Sequence, residues 1–208
     1  MRFKLIIMLL FLLLISKVKS QQSNMQKFKE LSCPEKWWVI KHPFVAKKAL
    51  KTAEKARVET EIIIKQKLLK GNGNGGQVDA FRHAFWMAIL TQEIGWRRAR
   101  NLGESHEKGN YKTYKKSQLE DGIIPDKISS EMDLFNNSVG IEIGRKKVVI
   151  DVKLLVINVV KEGRCKIVKK DAYDNFLDCD GNYISKESLK GKWENNKCLV
   201  NSDEWLGF

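Results

Sequence analysis

The segment from Val78 to Glu93 constrains the fold more than any other stretch of the chain. Phe81, Ala84, Phe85, Ala88 and Ile89 recur at helical spacing, which predicts a core-facing helix closed by Gly95 at C′. Asp79, Arg82, His83 and Trp86 fall at i, i+3, i+4 and i+7 of the same helix. They therefore share one face bordering the core, with a carboxylate one turn below an imidazole. Such a helix needs neighbours that bring partners for its charges, because buried charge without a partner is costly.

Two further polar clusters stand in apolar surroundings: His106-Glu107, and Met132-Asp133-Leu-Phe-Asn136-Asn137. His106 follows Ala99 and Leu102 on the inward line of a helix that starts at Trp96. Asn136 and Asn137 are poor helix-interior residues, so adjacent copies imply defined partners. Met132, Phe135, Val139 and Ile143 form the apolar stripe of that helix, and Gly140 and Gly144 permit close approach of a neighbour.

The remaining chain reads as support for these three segments. Trp37 and Trp38 lie between Pro34 and Pro43, which predicts a lead-in packed over the helical core; an interfacial membrane contact is the competing reading. Phe44–Leu69 is expected to be helical, with an alanine stripe and a break near Thr60. Gly71-Asn-Gly-Asn-Gly-Gly76 must be a loop that delivers Asp79. Gly109–Gly122, rich in lysine with Tyr111 and Tyr114, suggests a surface loop or lid, and Val148–Val160 a further helix, with strand the competing reading. Cys165–Ile184 resembles a β-hairpin with a tight Asp180-Gly181 turn.

The expected class is mainly α: a compact helical domain at 33–162 carrying the polar site, then a small disulfide-tied β-hairpin tail at 163–208. Residues 1–20, with Arg2 and Lys4 before an apolar run from Leu5 to Ile15, have the form of a secretory signal peptide cleaved after Ser20. This predicts a secreted or periplasmic protein with no transmembrane segment after cleavage. Removing that segment takes away four basic residues and no acids, so the formal net charge falls from +13 to +9. Excess positive charge favours anionic partners, such as phospholipid headgroups, nucleic acid or an acidic envelope component. In an exported chain, Cys33, Cys165, Cys179 and Cys198 suggest two disulfides, with Cys179–Cys198 and Cys33–Cys165 the expected pairs.

Three readings of the polar set compete. In the first, His83 or His106 is a general base oriented by Asp79 or Asp133, while Arg82, Glu107, Asn136 and Asn137 hold the substrate. Ser105 is the hydroxyl to watch as a nucleophile. In the second, His83, His106 and Asp133 bind a metal, for which zinc suits the ligand types, with Glu107 as base. In the third, Asp79 caps its helix, Arg82 pairs with Glu107 or Asp133, and the set is a buried structural network.

The pattern Asp79-Ala-x-Arg82-His83-Ala-x-Trp86, His106-Glu107, Met132-Asp133-x-x-Asn136-Asn137-x-x-Gly140 resembles an uncharacterised bacterial domain of unknown function. That domain is associated with exported proteins and with the carboxy-terminal ends of toxin-like modular proteins. The resemblance covers about residues 33–145 and implies export and a shared polar site, but no reaction. The expected function is a hydrolase-like or toxin-like domain acting on an anionic ester or phosphodiester, phospholipid first among substrates. An immunity protein is a candidate partner. The alternative is a non-enzymatic envelope-binding module whose polar cluster is structural.

Overall fold

The structure, a computed structural model, describes residues 24–71, 73–116, 124–146 and 151–205. The expected signal peptide lies outside the described residues. The helices are α1 (Cys33–Lys41), α2 (Pro43–Lys65), α3 (Gln77–Ile94), α4 (Trp96–Lys115), α5 (Lys127–Arg145), α6 (Val152–Lys161) and the single turn α7 (Lys186–Leu189). Strands β1 (Lys166–Val168) and β2 (Leu199–Asn201) form one antiparallel pair, so the mainly α class with a small carboxy-terminal sheet holds.

Helix α3 is the axis. Fourteen of its eighteen residues are buried, so no face of it is left as a solvent stripe. One side joins Ala56 and Ile63 of α2, Ile143 of α5, Val156 and Val160 of α6, and Cys165, Ile167 and Trp205 of the tail. The other side, through Met87, Leu90 and Ile94, packs on Trp38 of α1, Ala99 and Leu102 of α4, and Ile141 of α5. The tail thus contributes to the same core as the helices.

Helix α5 meets α3 across small residues. A Cβ added at Gly140 would sit 2.1 Å from the Ala84 carbonyl oxygen, and one at Gly144 2.5 Å from that of Ala88. Backbone contact this close turns Asp133, Asn136, Asn137, Gly140 and Gly144 inward. The apolar stripe expected through Phe135 is therefore displaced: Met132 and Ile143 are buried, but Phe135 is exposed beneath the Lys166 ammonium.

Other expectations change for local reasons. Helix α2 runs unbroken past Thr60, whose hydroxyl donates to the Ala56 carbonyl and so stays inside the helix. The loop expected at Gly109–Gly122 is helical through Lys115, with residues 117–122 outside the described set. Gly109 lies where a Cβ would meet Ser32 Oγ at 2.5 Å, and Tyr111 and Tyr114 pack on Trp193, so tertiary contacts hold this polar, lysine-rich stretch as helix. Trp37 and Trp38 separate: Trp38 is buried and donates to the Arg98 carbonyl, whereas Trp37 faces solvent. Val152–Lys161 is helical as expected, capped by Asp151.

The tail departs most from expectation. Lys166–Val168 pairs with Leu199–Asn201, not with Phe176-Leu177 as a hairpin would require. Between them only the isolated bridges Lys170 to Phe176 and Leu177 to Tyr183 form. Asp171 with Asn175, and Asp178 with Asn182, make two side-chain-closed turns that divert the chain before a long hairpin can zip. The Cys179–Cys198 disulfide is present. The expected Cys33–Cys165 bridge is not: Cys33 is exposed at the start of α1, while Cys165 is buried in the core with its thiol pushed up to about 12 by desolvation.

Candidate functional site

The Gly-rich loop is held from both ends. Gln77 accepts from the Lys70 backbone amide and donates to the Ser202 carbonyl. Gly75, at φ +76°, accepts from the Val168 amide of β1 and donates its own amide to Asp79 Oδ2. A side chain at that φ would be strained and would crowd Val168, so glycine lets the loop pass between sheet and helix. The sequence's loop thus delivers Asp79 as expected, fixed by the tail.

Asp79, Arg82, His83, His106 and Asp133 converge on one cleft of about 60 Å³, which Asn74, Asn110, Ser129 and Ser130 also line. Asp79, His83 and Asp133 form its buried floor. Asp79 Oδ1 is 2.7 Å from the Arg82 guanidinium and 3.6 Å from His83 Nε2. Asp133 Oδ1 lies 3.3 Å from the same nitrogen, and Arg82 Nη2 also lies 3.3 Å from it. Nε2 thus sits where one guanidinium, which can only donate, and two carboxylates, which can only accept, meet. Burial pushes the His83 pKa well below its ordinary value, and the charges of Arg82 and His106 push the same way. Only Asn137, meeting the ring from α5, acts in the opposite sense. His83 is accordingly a neutral imidazole near pH 7.

His106 stands on α4 at the rim, with its ring edge against Trp86 and Nδ1 3.0 Å from Glu35 Oε1. A carboxylate only accepts, so Nδ1 carries the hydrogen in this contact. The orienting carboxylate is therefore Glu35, not Asp79 or Asp133. Glu35 also accepts from Ser32 N through Oε2, closing the capping box of α1. Burial raises the Glu35 pKa, but the His106 and Ser32 contacts outweigh it and hold the carboxyl below its ordinary value.

The other expected site residues take different places. Asn136 is fully buried and spans to β1, donating to the Lys166 carbonyl and accepting from its amide at 2.9 and 2.8 Å. Glu107 is buried and accepts from Asn110, which lines the cleft. Ser105 is tied to the Asn101 carbonyl away from the cleft. Arg82 pairs with Asp79 one turn before it on α3. Of the residues expected to bind a metal, His83 and Asp133 lie together with Asp79, their donor atoms all within 4.8 Å of one another, while His106 contacts Glu35. Glu35 and Asn110 are functional candidates the sequence reading missed. Ser32-x-x-Glu35 ahead of an apolar run is a legible capping box, but nothing local points it at His106, 71 residues away.

A family model described as Domain of unknown function (DUF6973) matches residues 36–166. The chain belongs to the DUF6973 family. No curated protein and no solved structure matches it. The DUF6973 match takes in every cleft residue named above and stops at the first residue of β1. Glu35, the partner of His106, lies immediately outside it.

Proposed function

We propose that this DUF6973 protein is an exported hydrolase that cleaves an anionic ester or phosphodiester, with His106 as the general base. The observation that carries this reading is the 3.0 Å contact between His106 Nδ1 and Glu35 at the rim of a cleft that also holds Arg82. A carboxylate that fixes the tautomer and stabilises the developing imidazolium lets the opposite nitrogen take a proton from water. Arg82, partly exposed, supplies a guanidinium for an anionic oxygen of the substrate. Rim amides and hydroxyls from Asn110, Ser129 and Ser130 provide further hydrogen bonds. Phospholipid is the first substrate to assay, because the basic surface favours an anionic lipid interface. A toxin-like role with an immunity partner fits the same chemistry.

The test is hydrolysis of phospholipid vesicles and of a soluble phosphodiester by wild type, His106→Ala and Glu35→Gln. His106→Ala is expected to lower kcat by 10²–10⁴-fold, the range for a general base. Glu35→Gln should lower it less and alter the acid limb of the pH profile. Equal activity in all three, at unchanged melting temperature, overturns the reading.

A non-enzymatic envelope-binding module is the second reading, favoured by Trp37, Ile40 and Phe44 standing exposed beside Lys36, Lys41 and Lys47. It expects Trp37→Ala to release the protein from anionic vesicles while His106→Ala leaves binding intact. No helix among the described residues is long and apolar enough to cross a membrane.

A further inference from the structure

We infer that Asp79, His83 and Asp133 form a binding site for one divalent transition-metal ion, and that Arg82 holds its place when the ion is absent. Three acceptor atoms of suitable type converge: Asp79 Oδ1, His83 Nε2 and Asp133 Oδ1. Ligand atoms placed 2.0–2.2 Å from a tetrahedral ion are about 3.4 Å apart. His83 Nε2 is 3.6 Å from the first carboxylate oxygen and 3.3 Å from the second. Both imidazole–carboxylate edges are therefore already near that spacing, and the three donor atoms lie within 4.8 Å of one another.

The Arg82 guanidinium touches the same atoms, at 2.7 Å from Asp79 Oδ1 and 3.3 Å from His83 Nε2. A positive charge is thus already seated at the mouth of the triad, and it balances two buried carboxylates. Arg82 is also the member of the cluster with access to solvent, so it can swing out when an ion enters. One imidazole and two carboxylates with room for water suit zinc, manganese or iron(II), and zinc is the first ion to test. Entry of the ion would turn Arg82 towards the cleft.

The site stands independently of the hydrolytic reading, because binding is measured without substrate. Zinc titrated calorimetrically into the purified, chelator-free full chain is expected to bind one ion per chain. Asp133→Asn and His83→Gln should each weaken binding at least tenfold, and His106→Ala should leave it unchanged. Arg82→Ala should tighten binding several-fold, since no guanidinium must be displaced. Because His83 is buried and its variant could fail to fold, the wild-type cobalt(II) spectrum serves as a second reading. A d–d band of low-coordinate cobalt with no thiolate charge-transfer band supports nitrogen and oxygen ligation. Absence of zinc binding by wild type, binding unchanged in folded Asp133→Asn, loss of binding in His106→Ala, or a thiolate band from Cys33 would each overturn the site. Zinc bound by this triad in a protein that hydrolyses no ester would overturn the proposed function alone.

Discussion

Glu35 divides its two carboxylate oxygens between the amide of Ser32 and the imidazole of His106, so one side chain starts a helix and orients an imidazole. Its net lowered pKa gives that arrangement a pH signature. A carboxyl whose folded pKa is depressed contributes stability that is complete above its ordinary value of 4.5 and is lost as pH falls through the lowered folded value. Wild type should therefore melt higher than Glu35→Gln near neutrality, and the gap should close under acid. Thermal melts across that range check it; a gap constant with pH would show that Glu35 gains nothing from its charge. The polar residues of the cleft were legible because they fall on inward lines of helices, where polarity is costly. Glu35 was not, because its local pattern is fully explained by a cap and its second partner is distant in the chain.

The α3/α5 crossing is where two helices approach closely enough for backbone to touch backbone. Gly140→Ala would drive a methyl to within 2.1 Å of the Ala84 carbonyl, which no rotamer change can relieve. We expect a loss of at least about 2 kcal/mol, towards the upper end for overpacked cores, with Asp133 displaced from His83. Gly73→Ala, which meets nothing within 4 Å, is the control and should leave the denaturation midpoint unchanged. Chemical denaturation with circular dichroism decides both. The glycine pair was readable at this level, whereas the rotation of α5 that exposes Phe135 was not. Periodicity ranks an aromatic above an asparagine for burial, yet the glycines bring the polar face inward and Asn136 repays its burial with two backbone bonds to β1.

At the scale of the whole molecule, the tail acts as a clasp on the helical body. Lys197 forms a buried ion pair with Asp126, the cap of α5, and the Lys127 amide donates to the Trp193 carbonyl. The Cys179–Cys198 disulfide, spanning 19 residues, keeps Lys197 beside its partner. Reducing it should cost about 3 kcal/mol, read as a lower denaturant midpoint in the presence of reductant. Thiol labelling tests the other two cysteines: Cys33 should react in the native protein, and Cys165 only after unfolding. No native labelling at all would restore the Cys33–Cys165 bridge. Four cysteines invite two pairs on parity alone, but a thiol buried with the apolar core is equally compatible with the sequence. The strand pairing was hidden for a related reason: Leu199–Asn201 lies beyond the turns that seemed to close a hairpin.

The clamp that Val168 places on Gly75 also sets an order of events in time. The cleft's reactive side chains all lie between residues 35 and 133, so the ribosome has made them before it adds β1, and well before the β2 strand that holds β1 in register. A nascent chain thus carries its reactive groups for many codons before the Gly75 carbonyl finds its partner and the loop beneath Asp79 is fixed. Every side chain that lines the cleft is thus synthesised before the strand that fixes the loop beneath Asp79.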